Sequence, residues 1–320
     1  MSPVPHLSRA AGLALGVVLD AVFADPRRGH PVALFGRAAA ALERRLYGDA
    51  RPRGVAHVAI LVAGSAALGA ATERALARRH PQTTKAAVAR TLLTAAATWA
   101  VLGGTTLARE GAAMADRLEA GDLDAARKRL PHLCGRDPSA LDAPELARAT
   151  IESLAENTSD AVVAPLFWGA LAGVPGLLAY RAINTLDAMV GHRSPRYERF
   201  GWAAARLDDA ANYLPARLTG LLTVLVGPDR GGALAVLLRD GHRHPSPNAG
   251  RCEAAFAGAL GLTLGGANVY GTRVEHRPEM GDGPKPEVRD IRRAVRLARK
   301  VSLAAAATAI TTAALLCRRS

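Results

Sequence analysis

The chain has 320 residues, of which 49% are hydrophobic and only 4% aromatic, and its 41 basic and 28 acidic residues give a net charge of +13 at pH 7. Alanine, the strongest helix former, is the commonest apolar residue, so the composition favours an all-α fold over a sheet-rich one. The basic residues are not interleaved with aromatic residues, which argues against a nucleic-acid-binding protein.

Apolar windows are the first feature along the chain. Four of them, with at most one histidine and no other ionisable residue, are long enough to cross a hydrocarbon core of about 30 Å. They cover residues 54–72, 91–108, 161–180 and 301–317. Because backbone polar groups must pair within the segment in lipid, we predict that these windows are transmembrane helices. Further spans or half-spans are expected near 10–24 and 214–227. A soluble bundle with buried helices is the alternative.

The segments between the windows complete the predicted architecture. We expect a polytopic helical membrane protein that forms a single membrane-embedded domain over residues 1–320, with multiple passes through the cell membrane. Residues 109–150 are predicted as a polar helical insertion, in which Asp122 caps a helix that ends near Leu130. Residues 229–290 are rich in Gly, Pro and His, and they are predicted as an ordered loop with one short helix.

The densest polar block covers residues 149–160. On an α-helix, Glu152, Glu156 and Asp160 would lie at i, i+4 and i+8 and would share one stripe. Three like charges on one stripe require a cation nearby, and carboxylates suit Mg²⁺ or an amine. The alternative is an ion pair between Arg148 and Glu152 on a solvated helix face.

A second polar group follows the window at 161–180. Asn184 and Asp187 lie three residues apart on a helix that Gly191 is expected to end. His192 and Arg193 come directly after this glycine, where a cationic fork could bind phosphate.

The next helix is predicted to begin at Ser194-Pro195, a favourable N-cap and first-turn pair. It would place Asp208 and Asn212 four residues apart, with Asp209 further round the helix. Acid and amide groups on two successive helices suit a metal-bridged phosphate. Capping and surface charges are the alternative interpretation.

The third group lies in residues 239–250, where two prolines and two glycines restrict the backbone. A rigid loop that presents His242, Arg243 and His244 is a plausible anion or substrate site. It is a weak metal site because no third ligand follows at a known spacing. Three scattered cysteines fit neither a disulfide framework nor a zinc site. No standard nucleotide-binding or hydrolase motif occurs in the chain.

These stretches together resemble the CobD/CbiB family, the adenosylcobinamide-phosphate synthases of cobalamin biosynthesis. The likeness is carried by residues 19–26 (LDAVFADP), 149–173, 180–218 and 244–250 (HPSPNAG), with Asn268-Val-Tyr-Gly271 and Gly281-Asp-Gly283 in agreement. Arg251-Cys252, directly after the last of these long segments, departs from the family pattern.

The resemblance implies an ATP-dependent acid–amine ligase. It would join the propionate of adenosylcobyric acid to (R)-1-aminopropan-2-ol O-phosphate, with Mg²⁺ and ATP required. On this basis we assign candidate catalytic residues: Glu152, Glu156, Asp187, His192 and Asp208. The candidate substrate-binding residues are Asn157, Ser159, Asn184, Arg193, Asn212, His244, Ser246 and Asn248. The candidate metal ligands are Glu156, Asp160 and Asp209.

The expected partners are the corrinoid substrate, the amino-alcohol phosphate and the lipid bilayer, with no nucleic acid, and a homo-oligomer is left open. Two other functions also remain open. A membrane prenyl- or phosphate-transferase would place similar Asn/Asp motifs around Mg²⁺. A corrinoid transporter or binding protein would show inverted internal symmetry, and none is visible in the sequence.

Overall fold

The computed structural model describes residues 4–26, 29–79, 83–192, 194–270 and 273–319. The described residues form twelve α-helices: α1 (Val4–Phe23), α2 (Pro31–Leu46), α3 (Arg51–Arg79), α4 (Thr84–Val101), α5 (Gly104–Glu119), α6 (Leu123–Arg129), α7 (Ala143–Thr158), α8 (Ala164–Leu186), α9 (Trp202–Val226), α10 (Arg230–Asp240), α11 (Ala249–Leu260) and α12 (Val288–Arg319). Two strands, β1 (Leu264–Tyr270) and β2 (Arg273–Met280), pair in an antiparallel hairpin. The helical fold class is confirmed.

The chain divides into two compact units. The first unit comprises Met1–Gly103, Ala164–Asn212 and Ala306–Ser320, and the second comprises Gly104–Val163 and Tyr213–Ala305. The boundaries fall inside α9 and α12, so both helices contribute residues to each unit. The single membrane-embedded domain stays a prediction.

Three helical stretches of the described residues are long and apolar enough to cross a membrane: Arg51–Arg78, Thr84–Glu119 and Ala143–Gly191. They contain the predicted windows 54–72, 91–108 and 161–180. In the first stretch only 22% of the apolar window is buried, and Ile60 and Leu68 are among its exposed side chains. Such a surface is expected of a helix that faces lipid. The spans at 301–317, 10–24 and 214–227 stay predictions.

In the first unit, α1 packs closely on α4 through small residues. A Cβ atom added at Gly12 would lie 2.4 Å from Cβ of Thr94, and one added at Gly16 would lie 2.4 Å from Cβ of Thr98. The two glycines are one helical turn apart, so they form a groove that admits the threonines of α4. Small residues at this spacing let helix backbones approach closely within a membrane.

Helix α8 is kinked at Gly173, where φ is +65°, two residues before Pro175. The kink frees the backbone N–H of Val174, which donates to Glu73 Oε1 of α3 over 3.0 Å. A Cβ atom at Gly69 of α3 would lie 2.8 Å from Pro175. The kink is therefore fixed by a close contact with α3 and by a carboxylate that satisfies the freed donor.

The second unit differs from the sequence prediction over residues 229–290. These residues form α10, α11 and the hairpin β1–β2, so the prediction of an ordered loop with one short helix is wrong. Helix α11 lies so close to α10 that a Cβ atom at Gly258 would lie 2.2 Å from the carbonyl oxygen of Gly232. Glycine in this segment serves close helix packing and was misinterpreted as a loop signal.

Two short π-helical segments, Ser159–Val163 and Asp187–Gly191, follow α7 and α8 directly. Each contains an acidic candidate residue in its first turn, Asp160 or Asp187. A π-helical turn shifts the hydrogen bonds from i→i+4 to i→i+5. Glu152 and Glu156 lie one turn apart on α7, and Asp160 follows in the π-helical segment, so the stripe of all three residues stays a prediction.

Several predicted helix ends are confirmed, and one is wrong. Asp122 accepts the backbone N–H of Ala125 at the start of α6, and Gly191 ends its helix as expected. The helix predicted to begin at Ser194 begins instead at Trp202. Ser194 Oγ accepts the N–H of Tyr197 over 3.3 Å, so this residue stabilises a turn before the helix.

Candidate functional site

Glu152 of α7 lies at the centre of a buried ion-pair network in the second unit. Arg136 donates to its Oε2 over 2.6 Å. Arg148 and the backbone N–H of Gly265 donate to its Oε1 over 3.2 and 2.8 Å. The pairing of Arg148 with Glu152, considered above as an alternative, is confirmed, but both residues are buried and not solvated. The network ties α7 to β1, because Arg148 also donates to the carbonyl oxygen of Gly265 over 2.8 Å.

Glu156 lies one turn further along α7 and is half-buried. In contrast to Glu152, it makes no hydrogen bond and no ion pair within 4 Å with the described residues. The remaining candidates of this block are Asn157, Ser159 and Asp160. Asn157 donates to the carbonyl oxygens of Leu133 and Ser153, so its amide N–H groups hold the loop before α7.

Ser159 is buried in the π-helical segment, and Asp160 beside it is half-buried. Both lie on the π-helical segment that follows α7. Their predicted roles in substrate and metal binding stay predictions.

His244 is buried in the loop before α11. Its Nδ1 accepts the N–H of Ser246 over 2.9 Å, which leaves the ring proton on Nε2. Burial, followed by the charge of Arg277, lowers the pKa of His244 to about 4. The imidazole is therefore neutral at pH 7, and a phosphate there would meet an N–H donor and not a cation.

The other residues of this loop stabilise the fold. Ser246 Oγ accepts the N–H of Asn248 over 3.3 Å and that of Ala249 over 3.2 Å, which caps α11. Asp240 accepts from Arg239, from Arg243 and from the N–H of Gly281. The hydrogen bond from Arg239 is the main reason that the pKa of Asp240 falls to about 2.

Glu253 of α11 is a candidate that the sequence reasoning missed. It is fully buried, and neither carboxyl oxygen has a hydrogen-bond partner among the described residues. Its Oε1 lies 3.6 Å from Nη1 of Arg277 and 3.9 Å from Nε2 of His244. Burial, then the charges of Glu152 and Glu156, raise the pKa of Glu253 well above its usual value.

The first unit contains a second polar cluster, built from α8 and α9. Asn212 is buried, its Oδ1 accepts from the hydroxyl of Tyr180 over 2.8 Å, and its Nδ2 donates to Asp208 over 3.0 Å. Asn184 accepts from Arg181 over 3.1 Å. Burial, followed by the neighbouring Asp187 carboxylate, raises the pKa of Asp208 to about 7. The structure thus brings together four of the predicted residues: Asn184, Asp187, Asp208 and Asn212.

Of the remaining candidates of this region, Asp209 lies beside the cluster and its charge also raises the pKa of Asp208. Asp209 is half-buried and lies 3.6 Å from the guanidinium of Arg206. His192 is exposed, and its ring packs edge-on against Tyr197 at 5.1 Å. Arg193 lies outside the described residues, so its predicted contact with phosphate stays a prediction.

Sequence reasoning also missed the arginines of the buried network, Arg136 and Arg277. Arg136 follows Gly135 in the segment predicted as a polar insertion, and Arg277 lies on β2, where a loop was expected. A local signal was present only for Glu253, which is the one acidic residue of α11, a helix that consists mostly of Ala and Gly.

The described residues contain no group of three or more His, Cys, Asp or Glu side chains that could hold a metal ion. They define a helical protein with candidate membrane spans and with ionisable side chains buried in each unit, the kind of protein in which such residues usually mark a functional site. A family model described as "CobD/Cbib protein" matches residues 13–298. The chain belongs to this family of cobalamin biosynthesis proteins.

Curated relatives support the same assignment. The cobalamin biosynthesis protein CobD of Mycobacterium tuberculosis is 55% identical over 307 residues, which cover 95% of each chain. The proteins of the same name from Geobacter metallireducens and Rhodobacter capsulatus are 44% and 43% identical, over 84% and 90% of this chain and 86% and 91% of theirs. No solved structure matches the chain.

Proposed function

We propose that this protein joins the propionate of adenosylcobyric acid to (R)-1-aminopropan-2-ol O-phosphate and gives adenosylcobinamide phosphate. The observation that carries the proposal is membership of the cobalamin biosynthesis family over nearly the whole chain. The buried carboxylates of both units support it, since the reaction combines a cationic amine with phosphate groups that require a metal or other cations.

The chemistry requires activation, because a carboxylate is a poor electrophile. The γ-phosphoryl group of ATP would pass to a propionate oxygen, which gives an acyl phosphate and ADP. The amine, after its ammonium form has lost a proton, would attack the acyl carbon, and phosphate would leave. Glu156 is a suitable proton acceptor because it is half-buried and, among the described residues, the charges of Arg277 and Arg136 act on its carboxylate without a hydrogen bond to it.

The cluster around Asp208 fits Mg²⁺ that is bound together with a nucleotide. One buried oxygen of Asp208, Oδ1, has no well-formed hydrogen bond, and the Asp187 carboxylate lies close enough to raise its pKa. Mg²⁺ commonly takes only one or two carboxylates and completes its shell with water and phosphate oxygens. Asp187 and Asp208 would hold the ion, which would offset charge on the transferred phosphate.

We also propose a multi-pass location in the cell membrane, with the lipid bilayer as a partner. The three candidate spans and the exposed apolar side chains of α3 support it. A homo-oligomer is compatible with the proposal and can be tested by the mass of the purified protein in detergent.

The decisive experiment supplies purified membranes with adenosylcobyric acid, aminopropanol phosphate and Mg·ATP. The expected product is the amide, detected by mass together with ADP. The proposal would be overturned if these membranes form no amide while a homologous enzyme, assayed in parallel as the control, is active. A corrinoid transporter would take the substrate into vesicles unchanged, and a prenyltransferase would act only on a prenyl diphosphate.

A further inference from the structure

A polar cavity of about 310 Å³ lies in the first unit, where α1, α3 and α4 meet. Each of these helices contributes one arginine to its lining: Arg9 of α1, Arg74 of α3 and Arg90 of α4. Glu73 is the one acidic residue among the described residues that line it. A cavity of this size can hold a small ligand or a headgroup, and its excess of positive charge favours an anion.

Two of the charged groups are anchored at the kink of α8. Glu73 Oε1 accepts the N–H of Val174 over 3.0 Å. Nη1 of Arg9 donates to the carbonyl oxygens of Ala170 and Leu171 over 3.3 Å each. These bonds satisfy backbone groups beside the kink. The carboxylate of Glu73 therefore serves the fold, and it forms no ion pair within 4 Å with the described residues.

The other two arginines are available to a ligand. Arg74 is exposed and Arg90 is half-buried, and neither forms a hydrogen bond or an ion pair with the described residues. A guanidinium group presents several N–H donors in one plane, which match two oxygens of a phosphate group. The side chains of this cavity are therefore those of a phosphate-binding site.

The same arginines border the apolar segments of the chain. Arg90 directly precedes the apolar window 91–108. Arg74 follows the window 54–72 by two positions, and Arg9 directly precedes the apolar part of α1. The cavity thus lies where these helices would leave the hydrocarbon core, at the level of the phospholipid headgroups. Basic pockets between transmembrane helices bind anionic headgroups.

We propose that this cavity binds the phosphate group of an anionic phospholipid. Arg74 and Arg90 would bind the phosphate oxygens, and Leu93, which also lines the cavity, would contact the start of an acyl chain. The proposal rests on the proposed membrane location. It does not depend on the ligase reaction, since no candidate site residue is among the described residues that line the cavity.

The test compares two phospholipids with the same acyl chains and different headgroup charge. Full-length protein is stripped of lipid in detergent and titrated with dioleoyl phosphatidylglycerol or dioleoyl phosphatidylcholine, and native mass spectrometry counts the bound lipid. The wild type is expected to bind phosphatidylglycerol about tenfold more tightly. The double variant Arg74→Gln, Arg90→Gln is expected to lose most of this preference and to keep its affinity for phosphatidylcholine.

The matched control is the double variant Arg78→Gln, Lys85→Gln. It removes two charges from the same ends of α3 and α4, and both side chains are exposed and outside the lining of the cavity. The control should keep the preference of the wild type. An equal loss in both double variants would indicate attraction to overall positive charge and would overturn the site, as would an unchanged preference in Arg74→Gln, Arg90→Gln. If that variant does not fold, Arg74→Gln against Arg78→Gln provides the same comparison.

Inorganic phosphate distinguishes a soluble ligand from a lipid. Phosphate that binds as tightly as phosphatidylglycerol, and that requires Arg74 and Arg90, would overturn the lipid as the ligand. Recovery of the protein without detergent would contradict both the membrane location and the site. A protein that stays in the membrane without a preference for phosphatidylglycerol contradicts the site alone, and lipid binding without amide formation contradicts the proposed reaction alone.

Discussion

Replacement of Glu152 by Gln should destabilise the protein far more than the same replacement at Glu156, one helical turn away. Both changes remove one negative charge from α7 and nearly preserve side-chain shape. Glu152 accepts three hydrogen bonds, two of them from arginines, and the side chains of Glu152 and Arg136 are only 3% and 4% exposed. A glutamine there offers a single acceptor, and its amide N–H groups would face a guanidinium.

The expected magnitude follows from the burial of this network. Loss of one partner from a buried ion pair commonly costs about 3–5 kcal/mol. At roughly 2–4 °C per kcal/mol, typical of domains of 150–250 residues, Glu152→Gln should lower Tm by about 6–20 °C. Glu156→Gln breaks no hydrogen bond with the described residues and removes both the repulsion from Glu152 and the attraction to Arg277 and Arg136, so its Tm should stay within about 2 °C of the wild type.

The measurement is the fraction of protein that remains monodisperse in detergent after heating. Unfolding of such proteins is often irreversible, so all variants must be heated at the same rate. The double variant Arg136→Gln, Glu152→Gln should lose less stability than the sum of the two single changes, because the partners are coupled. Equal Tm shifts for Glu152→Gln and Glu156→Gln would refute the difference between the two carboxylates. The effect on turnover should fall mainly on the other variant. Glu156→Gln should turn over at least tenfold more slowly than the wild type, a loss of about 1.4 kcal/mol in transition-state stabilisation.

Other expected outcomes concern α1, α9 and the membrane. The folded-state pKa of Asp208 is raised from 3.8 to about 7. The destabilisation that this causes is therefore absent below about pH 4, grows as the pH rises from about 4 to 7, and is complete above about pH 7. In EDTA, Asp208→Asn should therefore raise Tm at pH 8 and leave it unchanged at pH 4; an equal shift at both values would contradict the raised pKa. Gly16→Val should cost about 1–3 kcal/mol by overpacking against Thr98, seen as a lower Tm than that of the exposed control Gly64→Ala. The protein should stay in the pellet after carbonate washing, and its recovery in the supernatant without detergent would contradict the predicted spans.

Local features of the sequence predicted the helical part of the structure well. Most of each apolar window is helical, although α4 ends at Val101 and α5 begins at Gly104 within the window 91–108. Asp122 caps α6, and the i,i+4 spacing correctly pairs Arg148 with Glu152. The last two features depend on residues within one helical turn. Spacing of this kind can be read from the sequence because helix geometry fixes it.

Features that depend on distant residues could not be predicted. Arg136 reaches Glu152 from a loop, and the N–H of Gly265 reaches it from a strand 113 positions away. The hairpin was missed because Gly265 and Gly266, both with φ near +100°, interrupt the alternation that marks a strand. A bulge at Gly265 turns its N–H toward Glu152, so the feature that hid the strand also builds the network.

The two π-helical segments also affect how the chain tolerates deletions. A π-helical turn contains one residue more than an α-helical turn needs. Helix continues on both sides of Ser159–Val163, as α7 and α8, so deletion of one residue from 159–163 should restore a continuous α-helix without exposing backbone groups. Such a protein should keep its stability in detergent while the place of the acidic side chain at position 160 on the helix changes, which separates the helical scaffold from the acidic residue that it carries. The segment Asp187–Gly191 differs, because the extended residue His192 follows it and no helix continues beyond it.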